Sequence, residues 1–198
     1  QGKNVSIPTA LGFCPEPAYE IACGRTFIAA ISKTNIIYAS GNKYKNIKIK
    51  DLSGPRGLSA FGENFALAYQ ANKIALFSGS GNYTTIDLPE GDQIIKTVLT
   101  NSTIAALCSN GAVYAGKIGS PINFIGKAHS LFSSSDAIIL CQEKLKMEII
   151  KDNGTKIEIY TPTSFDIFMA GVESGDVFII DSAGRLAHTT EKDKKFTF

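Results

Sequence analysis

The chain has 198 residues, of which 44% are hydrophobic and 19% charged, and its formal net charge is +2. That composition fits a folded domain able to bury roughly 70% of its unfolded surface, and it argues against disorder and against a strongly basic nucleic-acid binder. No apolar run approaches the ~20 residues that span a bilayer, so a soluble chain without membrane insertion is expected.

In chain order, Gln1-Gly2-Lys3-Asn4 carries no apolar signal core, and a chain beginning on Gln reads as processed or as a fragment. Asn4 to Pro8 reads as a lone outer strand that either closes a ring or belongs to a preceding unit. The segment Ala22-Cys23-Gly24-Arg25-Thr26-Phe27-Ile28-Ala29-Ala30-Ile31 follows, then a Lys33-Thr34-Asn35 turn and Ile36-Ile37-Tyr38-Ala39-Ser40-Gly41. The frame recurs from Ala60 through Phe65 to Gly79, and again from Thr103 through Asn110-Gly111 to Gly116. Gly24, Gly62 and Thr100 stand 38 residues apart in what reads as a common register. A degenerate fourth copy pairs Ala137-Ile138-Ile139-Leu140-Cys141 with Met147-Glu148-Ile149-Ile150. A fifth pairs Asp176 to Asp181 with Arg185 to His188.

Each copy reads as a hairpin, because two short apolar β-runs flank a turn of Asn-Gly, Thr-Asn or Ala-Gly character. The runs are almost continuously apolar, as in strands covered on both faces. Ala29, Ala30, Ala66, Ala68, Ala105 and Ala106 recur in the first runs, where small side chains would let sheets approach near a crowded axis. More polar outer strands are expected at Asn46 to Lys50, Tyr83 to Leu88, Ile122 to Gly126 and Lys156 to Tyr160. The expected fold is all-β, a propeller of about five short blades, with an open partial propeller or a piece of a larger ring as the alternative. It is expected as one domain over 1–198, with units near 20–57, 58–93, 94–130, 131–164 and 165–198, and 1–19 as the closing or preceding strand.

The stretch from Glu20 to Asn42 resembles the repeat of the regulator of chromosome condensation family, a motif running IACG, then a turn with Gly, then VY and a Gly-x-Asn. The likeness covers 20–116 well and the rest weakly. The family's His is replaced by Phe27, Phe65, Thr103, Ala137 and Asp176, and its Trp position holds Ser40, Ser78 and Gly116. The unit is also shorter than the family's usual ~50 residues. The resemblance implies a propeller and a non-catalytic protein-interaction role. Guanine-nucleotide exchange on a small GTPase is the alternative, and a propeller enzyme is a remote one.

Candidate partner-binding residues are Lys43, Tyr44, Lys45, Lys48 and Lys50, a basic outer strand suited to an acidic surface, together with Tyr83. The competing reading is a lysine-rich edge that blocks strand-to-strand aggregation. Tyr44, Tyr83 and Phe124 read as exposed aromatic anchors. His129 and His188 lie far apart with no carboxylate or Cys at ligand spacing, and Ser133-Ser134-Ser135-Asp136 reads as a polar turn. Ser78-Gly79-Ser80-Gly81-Asn82 runs on into a strand, whereas phosphate-cradling loops lead into helices. No catalytic residue, metal or cofactor is expected. Cys14, Cys23, Cys108 and Cys141 form no Cys-x-x-Cys pair and read mostly as buried thiols, with a Cys14 to Cys23 bridge open. Sequons begin at Asn4, Asn82, Asn101 and Asn153, too few above chance to indicate secretion. The partner is expected to be another protein, with nucleic acid disfavoured, in the cytoplasm or nucleus rather than outside the cell.

Overall fold

A computed structural model describes residues 12–79, 81–89, 93–162 and 166–197, so the Asn4 to Pro8 strand lies outside the described residues. The chain folds into five antiparallel sheets, each a meander in which strands adjacent in sequence pair in space. Sheet 1 holds β1 (Ala18–Cys23), β2 (Phe27–Ser32), β3 (Ile37–Gly41) and β4 (Ile47–Ile49). Sheet 2 holds β5 (Arg56–Phe61), β6 (Asn64–Tyr69), β7 (Lys73–Ser78) and β8 (Tyr83–Asp87). Sheet 3 holds β9 (Ile94–Leu99), β10 (Thr103–Cys108), β11 (Ala112–Lys117) and β12 (Asn123–Lys127). Sheet 4 holds β13 (Ser130–Ser133), β14 (Ala137–Cys141), β15 (Lys146–Lys151) and β16 (Lys156–Tyr160). Sheet 5 holds β17 (Ile167–Glu173), β18 (Asp176–Asp181) and β19 (Leu186–Thr190), with Thr197 bridging back to His188 beside β19.

The first strands touch in succession, β1 on β5, β5 on β9, β9 on β13 and β13 on β17, so they line the inside of a propeller arc. These inner strands were not separated from the hairpins in the sequence. β1 alternates half-buried with exposed residues and β5 is half-buried throughout, so neither carries the apolar run that marks β2 or β6. The recurrent alanines accordingly lie one strand away from the axis, on β2, β6 and β10, where all are inaccessible, five of them between sheets and Ala30 on the outward face of sheet 1.

Face assignment follows one rule. On each second strand, the second and fourth residues pack on the preceding sheet and the first and third on the following one. Phe65 and Leu67 meet sheet 1, Ile104 and Ala106 meet sheet 2, Ile138 and Leu140 meet sheet 3, and Val177 and Ile179 meet sheet 4. Ala29, Ala66, Ala105 and Ile139 face the other way and are 0% exposed. The second strands start at residues 27, 64, 103, 137 and 176, in steps of 37, 39, 34 and 39. The 38-residue glycine spacing is therefore an average over unequal turns. Gly24–Thr26 puts three residues between β1 and β2, and Gly62–Glu63 puts two between β5 and β6. Aligning on the glycines slips the strands by one residue, which exchanges the two faces of a sheet.

Hydrogen bonds stitch each sheet to the next at the same intervals. The Arg25 N–H donates to the Gly62 carbonyl at 2.6 Å and the Asn101 N–H to the Ser135 carbonyl at 2.9 Å, both from one inner turn to the next. On the inner strands the Glu20 carboxylate accepts from the Gly57 and Leu58 N–H groups at 3.0 and 2.5 Å. Arg56 donates to the Ile94 carbonyl at 2.5 Å, and the Ser59 and Thr97 hydroxyls lie 2.8 Å apart. Gly57 has φ of +61°, and a Cβ there would stand 2.8 Å from the Lys96 Cα. Glycine is thus what lets β5 and β9 come together near the axis.

Candidate interaction surface

The basic strand sits on the outer rim of sheet 1. Period-two alternation on β4 turns Ile47 and Ile49 toward sheet 2 and Lys48 away from it. Lys43, Lys45, Lys48 and Lys50 are all exposed, and none pairs with a carboxylate among the described residues. The Lys48 ammonium lies 5.5 Å from the Tyr38 ring centroid, and the Tyr38 hydroxyl donates to Glu16 at 3.1 Å. Glu16 also accepts from Thr34, and that hydrogen bond above all holds its carboxyl below the ordinary value.

Tyr44 is the exception, and the expectation of an exposed anchor there does not hold: it is 0% exposed. Its ring packs 4.6 Å from Phe27 and 5.2 Å from Phe65, centroid to centroid, inside the first intersheet layer. Its hydroxyl donates to the Glu63 carbonyl at 2.9 Å and accepts from the Gly79 N–H at 2.7 Å. Burial pushes its pKa up. Tyr44 therefore locks the rim of sheet 1 onto sheet 2, and its flanking lysines point outward because it points in.

Tyr83 and the β4 segment Ile47–Ile49 line a groove of about 620 Å³ between the outer strands of sheets 1 and 2, with Asp51, Gly81 and Asn82, while the Lys48 ammonium itself lies over Tyr38 on the other side of β4. Tyr83 is 39% exposed and held against the Phe77 ring at 5.2 Å, so its exposed edge is pre-positioned. Lys43 lies across Gly79 beside it, its Cδ 2.8 Å from where a Cβ would stand. Lys45 and Lys50 are exposed but outside the groove lining. Phe124 is 56% exposed on the rim of sheet 3, edge-on to Tyr114 at 5.8 Å.

A second depression of about 770 Å³ lies where the turns of sheets 3 and 4 meet, lined by Ser109, Asn110, Lys127, His129, Gln142 and Glu143 among others. His129 is exposed there, its Nδ1 3.3 Å from the Ser130 hydroxyl. His188 has a carboxylate neighbour that the sequence spacing hid: Asp176, across the β18–β19 pairing, 2.9 Å from its Nε2. No cluster of metal-ligating side chains occurs among the described residues. Cys14 and Cys23 are unbridged, Cys108 and Cys141 are buried, and burial pushes the Cys141 thiol up to about 12, far from the thiolate a nucleophile needs.

No family model matches the sequence, and no curated protein matches it. Solved β-propellers do match the fold. Human WBSCR16 aligns with a TM-score of 0.71 at 10% identity, over 89% of this chain and 62% of that one. Yeast RCC1 (Prp20), in its complex with Kap60, aligns with a TM-score of 0.68 at 11% identity, over 86% of this chain and 55% of that one. Saccharomyces cerevisiae Prp20p, in a structure described together with its binding to Gsp1p and histones, aligns at 0.65 and 10% identity, over 86% and 56%. The chain thus has the propeller fold of RCC1-type structures, and it spans little more than half of their length.

Proposed function

We propose that this propeller arc is a non-catalytic protein-interaction module whose basic rim receives an acidic surface of a partner protein. The observation that carries the reading is the rim itself. Four exposed lysines without ion-pair partners among the described residues stand over a rigid aromatic layer, beside a tyrosine held half-exposed in the adjoining groove. Exposed cationic side chains that form no salt bridge within the described residues can pair across an interface, and a packed aromatic with an open edge is a low-entropy anchor. The fold supports a binding role, since solved structures of this fold include a complex with Kap60 and a protein characterised for binding Gsp1p and histones.

The test is capture of partners by the intact chain, compared with a K43E/K45E/K48E/K50E variant and with Tyr83→Ala. Retained partners that are lost at raised salt and in both variants support the reading. A partner set unaffected by these changes and by substitutions in the turns of both faces would sink it. Guanine-nucleotide exchange on a small GTPase is a second reading, favoured by the repeat resemblance over 20–116 and by the fold. Accelerated release of labelled nucleotide from a GTPase panel supports it, and no acceleration at micromolar protein counts against it.

A further inference from the structure

The outer strand of a sheet leaves a row of backbone N–H and C=O groups open to pairing unless something blunts it. Among the described residues, four of the five outer edges are blunted. β4 is only three residues long. β12 is bulged, since Val113 pairs with Gly126 and Tyr114 with Phe124, leaving Ile125 as the extra residue. β16 carries Lys156 and Glu158, both exposed and held in ion pairs with Glu148 and Lys146. β19 is covered by the chain itself: the His188 N–H donates to the Thr197 carbonyl at 2.9 Å, and the Thr197 N–H to the His188 carbonyl at 2.7 Å. β8 has none of these devices. Its five pairs with β7 run in unbroken register, and it contains no Lys, Pro or Gly.

The Leu88 N–H donates to the Asn72 carbonyl at 2.9 Å. Alternation from that bond turns the backbone of Thr84 and Ile86 toward β7 and that of Tyr83, Thr85 and Asp87 outward. Grooves flank this edge on both sides. Toward sheet 1 lies the groove beside Tyr83, walled by Ile47 and Ile49, with Lys43 across Gly79 at its end. Toward sheet 3, a groove of about 420 Å³ runs from Thr84 and Ile86 to Ile118, Pro121 and Ile122 in the β11–β12 connection. We propose that β8 receives an extended segment of a partner protein as an antiparallel fifth strand of sheet 2, a segment in which acidic side chains alternate with aliphatic ones. Residues bonded to Tyr83, Thr85 and Asp87 share their face and meet the basic rim of sheet 1, while the residues between them meet Ile86, Ile118 and Ile122. A second copy of the chain fits worse, because two-fold pairing of β8 with itself brings both lysine rims to the same side. The proposal rests on the reading of the chain as an interaction module, and makes the recognised element a strand rather than a preformed surface.

The test is fluorescence anisotropy of a labelled, end-blocked hexapeptide, Ser-Val-Glu-Val-Glu-Val, titrated with the 198-residue chain. Its Ser falls opposite Asp87, where a carboxylate would meet like charge. Saturable binding is expected, tighter by roughly tenfold than that of the same peptide with Lys in place of Glu. N-methylation of the Ser and Glu residues removes the N–H groups that face β8 and should abolish binding. N-methylation of the Val residues, whose N–H groups face solvent, should leave it within about threefold. Thr85→Pro removes an outward N–H without touching the β7 ladder, so it should keep the fold, checked by circular dichroism and unfolding midpoint, and lose the peptide. Thr85→Val gives up the same hydroxyl contact with Tyr69 and should retain it. No saturable binding up to about 1 mM overturns the proposal, and so does equal loss on methylating either set of residues. If the peptide fails while partner capture still depends on the rim lysines, the strand is wrong and the interaction reading stands. If both fail, neither stands.

Discussion

The two ends of the arc occupy equivalent places in the repeat and solve the same problem differently. Sheets 1 and 5 each have one neighbour, so each turns a face outward. On sheet 1 that face carries Ala30, Ser32 and Tyr38, all buried, and the chain just before β1 reaches over it, with Glu16 bonded to Tyr38 and Thr34. It is open at Tyr19, Ile21 and Cys23 along its inner margin and at Lys48 on its rim. On sheet 5 the corresponding outward face carries Met169, Phe178 and Leu186 in contact with solvent. Among the described residues, the outward face of sheet 1 is largely covered and that of sheet 5 is not. The lesson is that a repeat fixes which residues face outward, while the chain flanking the array decides whether they stay exposed.

The largest way to sharpen that contrast is to cut the same amount of aromatic side chain at a sealed layer and at the open face. Tyr44→Ala is expected to lower stability by about 3–5 kcal/mol, through the cavity and the stranded Gly79 N–H. Phe178→Ala should shift it by less than about 1 kcal/mol, because that ring is already partly in water. Urea unfolding midpoints of dilute protein check both, and equal losses would abolish the distinction. Gly57→Ala comes next, at roughly 2 kcal/mol, from positive φ and the backbone of Lys96 behind it.

A third probe is acid, because each end has one carboxyl held below its ordinary value. Glu16 is held there chiefly by the Thr34 hydroxyl. At Asp181 burial alone would raise the pKa, but hydrogen bonds from the Arg185 backbone and side chain and from the Ala183 N–H outweigh it. A depressed native pKa gives stability that is present above the unfolded value, near 4.5 for Glu16 and 3.8 for Asp181, and lost as pH falls through the lower native one. Hydrogen-exchange protection of the Ser182–Gly184 turn and of the Ser32–Ile36 turn should therefore fall in that acid range, ahead of the middle sheets. In Asp181→Asn, the turn of sheet 5 should lose that pH dependence while the turn of sheet 1 keeps it. The smallest effect belongs to the rim: replacing Lys43, Lys45, Lys48 and Lys50 by Gln should leave the unfolding midpoint within about 0.5 kcal/mol. A larger drop, or aggregation, would mark the lysines as guardians of the edge rather than a binding surface.

The hairpins were legible because β2–β3 and β6–β7 are buried on both faces and so read as apolar runs around a turn. The inner strands were hidden for the opposite reason, since β1 and β5 lie half in solvent and mix Glu20, Arg56 and Ser59 with apolar residues. Tyr44 shows what a local signal can miss. Its position between Lys43 and Lys45 is the alternation of a chain with one side inward, but it precedes β4, where no strand pattern indicated which side that was. The groove beside Tyr83 joins outer strands of different sheets, and no spacing within one unit could have announced it.

The stitches between inner strands carry a mechanical consequence. Glu20 to Leu58, Arg56 to Ile94 and Ser59 to Thr97 each bind one sheet only to the next, like rungs loaded in series. Tension applied between β1 and β19 should accordingly part the arc one seam at a time, giving a sawtooth of separate ruptures. The aromatic seam beneath Tyr44, with its buried hydroxyl anchored on both sides, should be among the last to tear.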